Sequence, residues 1–511
     1  MSGKCSLRLV DPCALQFKLL ATRRYMLDNE LTLSEFVPGT VARPSLQNAL
    51  MPYCTTPPSI SFENGTVVFS ESNGQSQSAE GVVFVGAFYP GVHLSVDVQS
   101  LSDGSAALLE IAPYDGSFRL RVRALPDHPV EFEETSNGQR LDVKIDNPQI
   151  VPPPPFRLSA IIAGPTVLLT ARKKDTVRFL ASVALADEPD IRQKQFAGYL
   201  KCAVGAALPP NGQAVIGRAS TALTAGIGQA DFRIVTDGPG CRPYMENGRM
   251  FCTFSARAGL KYTKSVASFN PATFDFKMEG ILLTNYGDGD DLLRNDAVNH
   301  LFRDADGSWK GVGCGWSTTA HNLDPATRRG SGLIVCEAED NPLHGIHVLQ
   351  ARQLVVGTEK SEDPYFTYDE DVGKWRLSTS SFTPDGLRAC LWEANAWDGP
   401  YERIAAPVPY NSTGCQIMDF GGSRYVMTAN VQRQLPIYEY PTLCYCGELN
   451  LDFKPFNQEC PNGRIFMAFA ETPPGSPYRY ILLTMDRENF AGMPTPNWTY
   501  GAMYFYGANP F

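Results

Sequence analysis

The sequence predicts an all-β protein, with a β-sandwich first and a five-bladed β-propeller after it. Three observations carry this. Short runs alternate apolar and polar residues between Gly, Pro, Asn and Asp signals, and long amphipathic helical patterns are scarce. The 511 residues include 44 glycines and 39 prolines, which suits a chain of many turns. From residue 230 onward a unit of strand, tight turn and returning strand recurs at an irregular period of about 40–65 residues, within reach of propeller blades carrying insertions.

Taken in order, residues 1–45 carry one modest helical pattern between Leu15 and Leu33. It reads as a strand or short helix packing on a later domain. Residues 46–228 read as the sandwich and its linker. Strand patterns such as SISFENGTVVFS, EGVVFVGAFY, AALLEIAPYDGSFRLRVRAL and TVRFLASVAL follow one another at sandwich spacing. The four prolines Pro152 to Pro155 cannot sit within a central strand, so they mark a crossing between strands. The Ala- and Gly-rich stretch 188–228 reads as the connection, with room for a last sandwich strand. Residues 229–511 read as the propeller. Its inner hairpins are expected to turn near Gly248, Gly307, Gly373, Gly422 and Gly463, and the tail NWTYGAMYFYGA to supply a strand closing the ring.

The formal net charge is −10, and no dense run of Lys or Arg is present, which argues against a nucleic-acid partner. No apolar run approaches the ~18 residues that span a bilayer, so no membrane partner is expected. The first 26 residues lack a continuous apolar core of a secretory leader, which suggests the cytoplasm, or export with the leader already removed. The 13 cysteines make no C-x-x-C pairs of a zinc site. Buried reduced thiols are expected, with a few disulfides as the alternative. The acids in GDGDD (287–291) and DADG (304–307) are turn formers. They could take a structural calcium, although the spacing is not that of a full EF-hand loop; no other metal and no redox cofactor is expected.

Three of the repeated units begin with acids. Asp237 precedes the first, Asp296 and His300 the second, Glu362 and Asp363 the third. The starts of innermost strands converge at one end of a propeller channel, so acids there would face one another across a pocket. Glycoside hydrolysis needs such paired carboxyl groups, ~5–5.5 Å apart for retention and ~6.5–9.5 Å apart for inversion. Adjacent strand residues face opposite ways, so one of Glu362 and Asp363 is expected to be central. His300, four residues after Asp296, could bond a sugar hydroxyl or a carboxylate, and His321 could line a loop. Arg242 could hold the carboxylate of an acidic sugar. All six tryptophans fall in the second half; Trp316 and Trp397 are the best placed to stack on a sugar ring.

These features resemble the five-bladed propeller glycosidases, the furanosidase-like group of arabinofuranosidases, xylosidases and fructan hydrolases (glycoside hydrolase families 43 and 32). The resemblance lies in DGP at Asp237, ND at Asp296 with FRDADGSW after it, EDP at Glu362 and WDGPYERI at Trp397. It covers residues 229–511. It implies a base or nucleophile at Asp237, an orienting and pKa-tuning acid at Asp296 and a proton donor at Glu362, with Asp363 as the alternative. The sandwich is similar in pattern to the concanavalin-like modules attached to carbohydrate-active enzymes. The implied function is glycosidic hydrolysis in a plant or microbial oligo- or polysaccharide. The alternatives are a propeller lyase acting on a uronate, with His or Tyr as base, and a non-catalytic glycan-binding propeller.

Overall fold

A computed structural model describes residues 11–37, 58–71, 78–316, 332–455, 467–494 and 501–510, apart from positions 26, 28, 260, 288, 290, 358 and 359. Strands dominate, in six sheets: two make the sandwich, and the other four make five propeller blades, two of which are joined edge to edge in one ten-stranded sheet.

The sandwich pairs a six-stranded with a nine-stranded antiparallel sheet. Alternate residues of both, among them Val83, Leu109, Ile111, Leu158, Leu169 and Val204, meet in one buried core. The stretch read as a linker is central to both sheets. Lys201–Leu208 lies between Ala79–Ala87 and Ala106–Ala112, and Gln213–Leu223 pairs with Val92–Leu101. Its small residues are a packing requirement rather than a linker signature. A Cβ on Gly205 would come within 1.9 Å of the Gly81 carbonyl oxygen.

The propeller's innermost strands are Gly228–Ile234, Ala297–Arg303, Ser361–Asp369, Ser412–Phe420 and Met467–Glu471, here blades I to V. They touch one another in cyclic order, with blade V against blade I. Five apolar clusters fill the five gaps between blades. Between blades IV and V, for example, the rings of Phe420 and Tyr480 stack at 4.1 Å.

Three details differ from the sequence reading. The hairpin at Gly248 joins the two-residue strand Met245–Glu246 to Arg249–Ala258, which is the second strand of blade I. The innermost strand lies earlier, at Gly228–Ile234. The segment between Leu15 and Leu33, read as one strand or short helix, carries two strands: Gln16–Arg23 pairs with Met503–Ala508 as an outer strand of blade V, and Leu31–Phe36 pairs with the sandwich strand Gln213–Leu223. The chain's last strand is therefore the third of its blade, and the early strand completes the ring. The turns at Gly307, Gly373 and Gly422 lie where expected, each with positive φ, whereas Gly463 is outside the described residues.

Candidate active site

The site follows from one irregularity repeated in four blades. Each innermost strand carries a single extra residue near its start. In blade I the register jumps between Ala230 and Arg233, in blade II between Val298 and His300, in blade III between Glu362 and Tyr365, and in blade IV between Thr413 and Gln416. Such bulges bend a strand and re-aim its side chains. The first bulge residue is left-handed in blades I, III and IV: Asp231 and Asp363 at φ 54°, Gly414 at φ 66°. Outside glycine this conformation costs about 1–2 kcal/mol, and Asp is among the few residues that tolerate it. Its recurrence at one level of the channel marks that level as specialised.

Just past the bulges, Arg233, His300, Tyr365 and Gln416 are buried and close the channel. His300 stacks on Tyr365 with ring centroids 3.9 Å apart. Its Nδ1 accepts from the Phe366 amide at 3.3 Å and its Nε2 donates to Thr236 Oγ1 at 2.9 Å, since that hydroxyl is itself a donor to the Gly238 carbonyl. Burial and the nearby Arg233 cation push His300 down to about 3, so the ring is neutral at ordinary pH. The Gln416 amide exchanges two hydrogen bonds with the Phe469 backbone, tying blade IV to blade V.

Above this plug opens a cavity of about 470 Å³, within the usual range for a small-ligand site. Its walls include Asp231 of blade I, Asn299 of blade II, and Glu362 and Asp363 of blade III, with Trp316 and Phe382 among the remaining lining residues. Trp316 is 39% and Phe382 46% exposed, both large aromatic surfaces open to solvent.

Asp231 sits among cations. Arg257 Nη2 donates to its carboxylate at 2.7 Å, and Lys264 Nζ to its backbone carbonyl at 3.2 Å. Burial favours the protonated form, but Arg257, Lys264 and Arg487, with a Ser255 hydrogen bond, outweigh it and hold the carboxyl below its ordinary value. The buried Lys264 is itself lowered to about 8, by burial foremost. Asp363 is committed differently. Its Oδ2 accepts from Thr413 Oγ1 at 2.6 Å and from the Gly414 amide at 3.1 Å, fastening blade III to the bulge of blade IV. Both Glu362 and Asp363 border the cavity because the bulge interrupts the alternation that would have sent them to opposite faces.

The expectation that Asp237, Asp296 and Glu362 face each other across one pocket is corrected by this geometry. Asp237 and Arg242 pair with each other at the far end of the channel, beyond the plug. Asp296 is buried under blade I, accepting from Thr284 Oγ1 at 2.7 Å and Tyr286 Oη at 3.1 Å. Alternation explains this: Ala297 and Asn299 face the cavity, so Asp296 and Val298 face away. His300 belongs to the plug. Trp397 lies outside the channel, edge-on to Phe366, with Arg352 and Lys310 over its ring at 4.9 and 5.5 Å. His321 falls outside the described residues. Asp231 was missed because QADFRIV is short and follows an Ala/Gly-rich stretch. The signal available was the parallel between Asp231-Phe-Arg and Asp363-Pro-Tyr.

The far end also holds a cavity, of about 620 Å³. It is larger, yet its carboxylates are each spent on an arginine of their own neighbourhood: Asp237 on Arg242, Asp419 on Arg424, Glu471 on Arg479. The ten described cysteines are free thiols, seven of them buried.

No family model matches the chain, and no curated protein matches it. Solved structures do. A GH43 β-1,3-galactosidase matches over 54% of this chain and 61% of its own length, at 10% identity and TM-score 0.35. The catalytic domain of the GH62 α-L-arabinofuranosidase of Coprinopsis cinerea matches over 55% of this chain and 90% of its own, at 11% identity and TM-score 0.36. The carbohydrate-binding module CBM66 of Bacillus subtilis matches over 32% of this chain and 91% of its own, at 10% identity and TM-score 0.22.

Proposed function

We propose that the protein hydrolyses a glycosidic bond of an oligo- or polysaccharide in the cavity above the plug, with Glu362 as proton donor and Asp231 as base or nucleophile. One observation carries the reading: carboxyl groups from blades I and III border one cavity in unlike surroundings, the arrangement from which acid and base roles follow. Asp231, held ionised by its cations, is unsuited to donate a proton at neutral pH. Asp363 is engaged by blade IV. Glu362 borders the cavity from the opposite side of the ring, at the start of the blade III bulge. In the reaction Glu362 protonates the leaving oxygen as the bond to the anomeric carbon breaks. Asp231 either takes a proton from the water that attacks that carbon or attacks it directly, with water then releasing the sugar. Trp316 and Phe382 offer stacking surfaces to sugar rings.

Arg257 and Arg487 on the same wall suit a uronate, which a lyase would also bind. The geometry favours the hydrolase, because His300, a base such a lyase could use, lies in the plug with both ring nitrogens bonded.

The test uses a panel of 4-nitrophenyl furanosides and pyranosides beside natural oligosaccharides. Sugar release without an unsaturated, ultraviolet-absorbing product supports hydrolysis. Glu362→Gln should lower cleavage of natural glycosides by about 10²–10⁴-fold while sparing much of the cleavage of 4-nitrophenyl glycosides, whose leaving group needs little protonation. Equal loss on both substrate types would remove Glu362 from the donor role.

A further inference from the structure

Asn299 is the extra residue in the bulge of blade II, at the level where blades I and III present aspartates. It is 3% exposed and borders the cavity. Its backbone is fixed, the carbonyl accepting from Thr253 Oγ1 at 2.7 Å. Its side-chain Oδ1 is buried without a hydrogen-bond partner. A buried amide oxygen left without a partner is destabilising, and such groups in native proteins call for an explanation. Two side chains at the same level have their polar atoms engaged. Asp363 has Thr413 and Gly414, and Gln416 has Phe469.

We propose that Asn299 reads hydroxyl groups of the sugar ring, its carbonyl accepting from one hydroxyl and its amide nitrogen donating to a neighbouring one. A carboxamide offers one acceptor and two donors in a plane, which matches a vicinal pair of hydroxyls, each both donor and acceptor. Asn299 is thereby a specificity-determining residue for sugars with free adjacent hydroxyls, against deoxy or O-substituted ones. The inference rests on the reading that the cavity holds a sugar.

The experiment combines binding with stability. Calorimetry measures methyl glycosides and their monodeoxy analogues against Glu362→Gln protein, with and without Asn299→Ala. Hydrolysis of the matching 4-nitrophenyl glycosides is followed in the otherwise wild-type protein. Sites that bond a hydroxyl reject the analogue lacking it strongly, so at least one deoxy analogue is expected to bind about 100-fold more weakly, and Asn299→Ala to erase most of that difference. Because the side-chain carbonyl lacks a partner in the free protein, Asn299→Ala should keep the melting temperature within about 2 °C or raise it. Undiminished discrimination in Asn299→Ala overturns the inference and leaves hydrolysis standing. So does a melting temperature lowered by several degrees in both Asn299→Ala and Asn299→Ser, which would mark a structural role. Discrimination that depends on Asn299 in a protein that cleaves nothing sustains the inference and removes the hydrolase reading. If none of the glycosides binds, both fall.

Discussion

The two ends of the propeller channel each present three carboxylates among the described residues, in opposite settings. At the far end Asp237, Asp419 and Glu471 lie in or near turns, partly exposed, each beside an arginine close in sequence. At the near end Asp231, Glu362 and Asp363 lie at bulges in innermost strands, where the backbone of two of them is held left-handed. Short acid-led motifs occur at both ends, DGP at Asp237 and EDP at Glu362, so the motif alone does not separate them. Burial and the origin of the countercharge do. Exposed pairs within a hairpin are worth little, whereas carboxylates gathered from different blades require the whole ring to be built.

The sharpest way to break this contrast is to neutralise one acid at each end. Asp231→Asn and Glu362→Gln are each expected to lower kcat on natural glycosides by about 10²–10⁴-fold. Asp237→Asn should leave it within about twofold, and steady-state kinetics on one substrate decides. Next is the structural share of the near end. Asp363→Ala strips Thr413 Oγ1 and the Gly414 amide of their acceptor and places a less tolerant residue at φ 54°. It is expected to cost about 2–3 kcal/mol in chemical denaturation. Asp363→Asn, which keeps an acceptor, should cost less.

Between the two ends, the plug supplies a pH test. His300 is held neutral down to about 3 in the folded protein, against an ordinary value near 6.5. The unfolded chain therefore binds the extra proton first. Stability present above pH 6.5 should be lost as pH falls from there toward 3, by up to about 1.4 kcal/mol per pH unit from this group. Glu134 and Asp486, raised by burial to about 7 and about 6, act in the opposite sense, becoming less unfavourable as they protonate. The readout is accordingly the difference between wild type and His300→Gln, whose profile should be flatter on the acid side. The smallest effect is expected at the far end, where Arg242→Ala removes a partner that is 75% exposed and should change stability by less than about 0.5 kcal/mol.

Much of the fold was legible in the sequence. Alternating runs and turn glycines marked most strands of the sandwich and blades II to IV, because those hairpins are local. What escaped was set by distance or by backbone geometry. Gln16–Arg23 pairs with a strand almost at the other end of the chain, and local pattern carries no trace of such a partner. The strands around Gly205 looked like a linker because close backbone approach selects small residues over β-branched ones. In the site, alternation correctly separates Asn299 from Asp296, provided the strand start is known. It fails at Glu362 and Asp363, where the bulge inserts a residue. Asp231 was hidden because the Gly248 hairpin looks like an inner hairpin and belongs one strand further out.

The early strand Gln16–Arg23 has a consequence for how the molecule is made. A few residues further on, Leu31–Phe36 joins the sandwich, so one short segment is stitched into both sheet systems. Gln16–Arg23 is synthesised before Met503–Ala508, so the last blade's partner strand is already tethered to the same chain when that edge is made. The ring can then shut by capture of a tethered strand, without searching for a free one. A fragment of residues 229–511 would expose the Met503–Ala508 edge and the Tyr506 side chain that Phe17 helps cover, and is expected to aggregate. Fusing residues 11–24 to its end should restore solubility.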